Sequence, residues 1–242
     1  MVAPRLSPAK LDQPTSRGAL LLAIGAYFIV HTFVPFGRTL LYPLTLLATF
    51  VHEMGHGITA LATGGTFSSL DVFANASGLA HTTTTHAWAR ALTAAGGLLA
   101  PPIVGATLLA VSRGPKRARA VLVGMAVVIA VSLAIWVRST AAWVALPIDA
   151  LLLGWFGLRA SPRKRMVFAQ LIGVSLAIDT WSGKGYLFTD EVSIDGHVIP
   201  SDITNFAQAV GGPYLLWGFA MLLVSCALLA VGLYAAWRKS TR

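Results

Sequence analysis

Phe50-Val51-His52-Glu53-Met54-Gly55-His56-Gly57 places two histidines and a glutamate inside an apolar block running from 39 to 63. In a helix, positions i and i+4 lie one above the other on the same face, so His52 and His56 can both reach a single metal ion. The spacing is H-E-x-x-H, in which the two imidazoles bind zinc and the carboxylate between them takes a proton from the attacking water. With six histidines in the chain and Glu53 and Glu191 as its glutamates, chance yields this pattern roughly once in a thousand shufflings. The plainer alternative is a buried polar network holding helices together. Ionisable groups in hydrocarbon cost on the order of several kcal/mol unless paired or metal-bound, which favours the functional reading.

The rest of the chain has the composition of a membrane protein. It has 242 residues, 56% of them apolar and only 11% charged, with a mean hydropathy of +0.72. Soluble domains carry roughly a quarter charged residues, so a water-soluble enzyme and a disordered chain are both excluded. The net charge of +9 does not point to nucleic acid, because the 18 basic residues fall mostly in short gaps between apolar blocks. One cysteine, Cys226, leaves no disulfide framework or thiolate metal site within the chain.

A crossing helix needs about 20 apolar residues. The blocks 19–36, 39–63, 88–111, 118–138, 141–158, 166–188 and 212–237 give seven crossings, or six if the tight turn at Arg138-Ser139-Thr140 does not separate two spans. The first block is longer than a signal-peptide core and lacks a small-residue cleavage site, so it is read as retained. Seven crossings, with basic residues gathered at 113–119, 159–165 and the C-terminus, put the C-terminus in the cytoplasm and the N-terminus outside. The expected organisation is a polar tail, 1–18, and a single transmembrane domain, 19–242.

Two stretches do not span. Residues 64–87 combine Gly64-Gly65, the partly alternating 66–73, the turn-like Asn75-Ala76-Ser77-Gly78 and a threonine run, which predicts a hairpin. Residues 189–211 hold Asp190, Glu191, Asp195 and Asp202. The expected fold is an all-α multi-pass membrane protein of six to seven helices, with a small β-hairpin after the zinc-motif helix.

H-E-x-x-H within a transmembrane helix, followed by Gly64-Gly65, a β-like segment and another span, resembles the site-2 protease family of intramembrane zinc metalloproteases. Pro200-Ser201-Asp202-Ile203, Phe206-Ala207-Gln208 and Gly212-Pro213-Tyr214-Leu215-Leu216-Trp217 resemble a short bacterial and plant branch of it. The resemblance implies one zinc ion per chain, Glu53 as the catalytic base, and a membrane-embedded protein or peptide as substrate. It implies a multi-pass protein of the cell membrane, and a hairpin that holds the substrate as an extended strand. It says nothing of oligomeric state.

The third zinc ligand is where the chain departs from the better-known members, whose Asn-x-x-Pro…Leu-Asp-Gly pattern is absent. A catalytic zinc takes three protein ligands and one open position. Asp202 matches the short branch; Asp179 and Asp149, within apolar blocks, are the alternatives. Asp202 as a helix-start residue, or Asp149 and Asp179 paired with Arg138 or Lys184, are the structural readings of the same residues. His31, His81, His86 and His197 are read as structural or solvated, and Gly96-Gly97 with Pro101-Pro102 as marking a thin, irregular helix beside the site. The rival to a protease is an inactive relative acting as a membrane chaperone or interaction protein.

Overall fold

The computed structural model describes residues 16–182, 186–194 and 196–238. Most of the expected tail, 1–15, lies outside them, as do Lys184 and Asp195. The chain runs α1 (Ser16–Phe33), α2 (Gly37–Leu40), α3 (Tyr42–Ala62), β1 (Thr66–Val72), β2 (Gly78–Thr83), α4 (Ala87–Val111), α5 (Pro115–Ile135), α6 (Thr140–Arg159) and α7 (Pro162–Ser182). A 3₁₀ turn, Tyr186–Phe188, then leads into β3 (Glu191–Ile194), β4 (His197–Pro200), α8 (Asp202–Val210) and α9 (Tyr214–Trp237).

Among the described residues, α4, α5, α6 and α9 are long and apolar enough to cross a membrane. That is fewer than the six to seven expected, and the sequence of the remaining helices explains why. The apolar part of α1 is shorter, Arg17–Phe33. The zinc-motif residues interrupt α3, and Arg163, Lys164 and Arg165 open α7. Pro101 and Pro102 lie inside α4 without ending it, so the expected irregular helix is continuous.

The first hairpin is antiparallel, with a register shift between Phe67 and Ser69. Its outer β1 edge is occupied. Leu70 N donates to Trp136 O at 2.9 Å, Arg138 N donates to Leu70 O at 3.1 Å, and Val72 N donates to Ser139 Oγ at 2.9 Å. Phe67 stacks on Trp136 at 5.0 Å. At the turn, Tyr42 Oη and Thr49 Oγ1 of α3 donate to Ala74 O and Ala76 O. The hairpin is thus fixed to α3 and to the α5–α6 turn, and its free edge is β2. A second antiparallel hairpin, β3–β4, pairs Val192 with Ile199 and Ile194 with His197.

Arg17 Nε donates to Trp237 O at 2.8 Å, and Arg113 donates to Ala235 O at 3.1 Å. The start of α1 and the ends of α4 and α9 therefore meet at one face. The start of α1 thus lies beside the end of α9, where an odd number of crossings would set the two on opposite sides. Short turns between α4 and α7 carry the basic turn 159–165 to that same face and both hairpins to the other.

Labelling with a membrane-impermeant maleimide tests this arrangement in a Cys226→Ser background. Cysteines at Gly114 and Ser161 will label from one side, and those at Thr85 and Glu191 from the other. Labelling of both sets from the same side contradicts it.

Candidate metal centre

The site begins with two helices that approach unusually closely. A Cβ on Gly55 of α3 would lie 2.4 Å from Gly96 O of α4, and one on Gly97 would lie 2.2 Å from His56 Nε2. Glycine at these positions lets α4 lie against the imidazole. The carbonyl of Thr93, one turn earlier on α4, then accepts a hydrogen bond from His56 Nδ1 at 2.8 Å. A carbonyl only accepts, so Nδ1 carries the proton and Nε2 of the neutral ring presents its lone pair. This is the arrangement by which a ligating histidine is oriented from behind.

His52 Nε2 lies 3.0 Å from His56 Nε2. Asp202 Oδ2 lies 3.0 Å from the first and 3.2 Å from the second. A tetrahedral ion with ligand bonds of about 2.0 Å separates its donor atoms by about 3.3 Å, so the three atoms are spaced as one face of such a shell. Among the described residues this is the cluster of histidine, cysteine and acidic groups close enough to hold a metal ion. The donor set of two imidazoles and one carboxylate suits zinc, and the residues fit the ion.

Asp202 reaches this point because α8 is anchored around it. Ser201 caps the helix, its Oγ accepting from Thr204 N at 3.2 Å and donating to Thr189 O at 2.7 Å. On the other side, fully buried Ile203 packs in a cluster with Leu98, Leu187 and Met221. Burial opposes the charge on Asp202, but His56 and His52 outweigh it and hold the carboxyl below the usual carboxylate range.

Glu53 is buried, and the backbone of Ala80 on β2 lies close to its carboxyl group. Gly78, where β2 begins, has no room for a side chain, since a Cβ there would lie 2.4 Å from Glu53 Oε1. A cavity of about 270 Å³ opens beside these groups, lined among others by Glu53, His56, Asp202, Leu79 and Ala80. Strands β3 and β4 also line it, through Val192, Ile194 and Ile199.

Among the described side chains, the other predicted positions do not join this centre. Asp149 lies on α6, 4% exposed, and its Oδ2 has no hydrogen-bond partner among the described residues. Asp179 lies on α7, its side chain outside the described residues. His31 stacks on Tyr27, His81 Nε2 lies 3.0 Å from Asp71 Oδ2, His86 caps α4 by accepting from Ala89 N, and His197 lies on β4. Sequence reasoning missed Thr93, which acts through its carbonyl and leaves no side-chain signal. It also missed the β3–β4 hairpin, whose strands are only four residues each.

Gly97→Val will displace the His56 ring and lower bound zinc at least about tenfold, the range set by loss of a ligand's support. Gly25→Ala, with nothing within 4 Å of the added carbon, will leave it unchanged. Metal analysis of the two purified variants checks this, and equal zinc in both contradicts it.

Comparison with known proteins places this geometry in a family. No curated protein and no solved structure matches the chain. Residues 19–232 match the description Peptidase M50B-like, a site-2 protease family. With that match and four helices able to cross a bilayer, the chain is an integral membrane protein and belongs to the Peptidase M50B-like family.

Proposed function

We propose that the protein is a zinc-dependent intramembrane metalloprotease, hydrolysing peptide bonds of membrane-associated protein substrates. The observation that carries this reading is the meeting of His52, His56 and Asp202 at 3.0–3.2 Å, beside the buried carboxylate of Glu53. His52, His56 and Asp202 are the zinc ligands, one ion per chain. Zinc held there supplies Lewis acidity, lowering the pKa of water to about 7 and polarising the scissile carbonyl.

The chain's own residues do the rest. Glu53 takes the proton of the attacking water and returns it to the leaving amine, a general base and then a general acid. Thr93 O holds the His56 ring in place through Nδ1. Ala80 and Gly78 lie against Glu53, so strand β2 and the catalytic base are set together. Because Leu70, opposite Ala80, turns its N–H and C=O away from β2, Ala80 turns its N–H away from β1, and Thr82, two residues on, presents its N–H to the same side. With β1 already paired on its other edge, β2 is the edge on which an extended substrate can add as a strand.

The site belongs to one transmembrane domain, 19–242, of the cell membrane. The meeting of Arg17 with Trp237 supports six crossings rather than seven, since an even number returns the chain to its starting face. The basic turns lie on that face, which the positive-inside rule assigns to the cytoplasm. The hairpins and the cavity then open toward the opposite side. The Pro200-Ser201-Asp202-Ile203 pattern supports the short branch of the family.

The test is cleavage of a single-span model substrate by the zinc-loaded, detergent-purified protein, with products identified by mass spectrometry. Glu53→Gln will keep its zinc and lose at least about a hundredfold in kcat/KM, the usual scale for a general base. Wild type that holds zinc but is as inert as Glu53→Gln toward every substrate found to bind it contradicts the protease reading, leaving a membrane chaperone or interaction protein. Thr82→Pro removes one outward N–H from β2; it will weaken cleavage while zinc content stays at the wild-type level. If zinc falls in parallel, the strand is structural only.

A further inference from the structure

The cavity beside the metal centre is asymmetric in charge. Among the described residues its lining acids are Glu53 and Asp202, both committed to the centre, and its lining cation is Arg90. Arg90 lies in the first turn of α4, is exposed, and makes no side-chain hydrogen bond or ion pair among the described residues. An arginine that lines a cleft without an acidic partner leaves a planar fork of donors open to a ligand.

A second group on the same helix face points to a ligand independently. Thr93, three residues along α4, is 7% exposed. Its Oγ1 is buried without a hydrogen-bond partner among the described residues, and the residue lines the same cavity. Positions i and i+3 share a helix face. Arg90 therefore offers donors to a cleft that Val192, Ile194 and Ile199 also line, with the unpartnered Thr93 hydroxyl buried beneath the same helix face.

We propose that Arg90, supported by the Thr93 hydroxyl, is a specificity-determining residue that binds a carboxylate of the substrate. This rests on the protease reading and names the class of peptide preferred: one whose extended segment carries apolar side chains against β3–β4 and a carboxylate near the scissile bond. Thr93 O touches His56, and Arg90 lies one helical turn away, about 5 Å along the axis. An extended peptide advances about 3.3 Å per residue, so the carboxylate lies within about three residues of the bond that is cut. It belongs to an aspartate or glutamate side chain, or to the substrate's own C-terminus.

The probes are fluorescent peptides of alternating valine and alanine in which one position is Glu, Ala or Lys, each made with a free or an amidated C-terminus. Binding to zinc-loaded full-length protein in the Glu53→Gln background, in lipid-free non-ionic detergent, is read by anisotropy. Cleavage by the Glu53 protein is followed separately. The Glu peptide, or the peptide with a free C-terminus, will bind roughly five- to tenfold more tightly than its neutral counterpart. Which of the two pairs differs identifies the source of the carboxylate. Arg90→Glu will reverse the ratio in favour of Lys, and Arg90→Lys will restore part of it. An acid preference that survives Arg90→Glu overturns the proposal. So does equal binding of all members, or binding of none, with Arg90 then left to a lipid phosphate. Preferential binding without cleavage by the Glu53 protein leaves Arg90's role intact and overturns only the protease reading.

Discussion

Three donor atoms held about 3 Å apart, in an apolar helical body, are the constraint on which the rest of this structure depends. His52 and His56 come from one helix, where a four-residue spacing brings them together without further help. Asp202 comes from 146 residues beyond His56 in the chain, so its arrival has to be built. The cap by Ser201, the fully buried Ile203 and the packing of α8 against α4 serve that end. The glycines of α3 and α4 do the same for the histidines by removing the side chains that would keep the two helices apart.

The same helices connect the centre to the cleft. The carbonyl that orients His56 and a buried hydroxyl without a hydrogen-bond partner among the described residues belong to one residue, Thr93. Strand β2 lies directly against Glu53 through Gly78 and Ala80. Movement of β2 would therefore be felt at the base, and movement of α4 at the imidazole. The cleft beside the centre is lined by apolar Val192, Ile194 and Ile199 and by Arg90.

Much of this was legible in the sequence because it rests on local rules. H-E-x-x-H depends only on helical periodicity, and the hairpin at 66–83 on alternation around a turn. Asp202 was named through its resemblance pattern, and the geometry brings that residue, not Asp149, beside the histidines. The count of crossings was harder to read. A reading by apolar blocks treats alike a helix that is apolar throughout and one that, like α3, carries His52, Glu53 and His56 or, like α7, opens on three basic residues. The β3–β4 hairpin was hidden for another reason: four-residue strands among scattered acids leave too little alternation to detect. Contacts made by backbone atoms, such as Thr93 O to His56, have no signature in residue type at all.

The most direct test of the account is the zinc K-edge X-ray absorption of the folded, detergent-purified protein, wild type beside Asp202→Ala. The account predicts about one zinc per chain in wild type, in a shell of nitrogen and oxygen at about 2.0–2.1 Å with two imidazoles and no sulfur. It predicts that metal is lost, or the carboxylate oxygen replaced, in Asp202→Ala. A folded wild-type protein that takes up no zinc after loading, or an unchanged shell in Asp202→Ala, would contradict it.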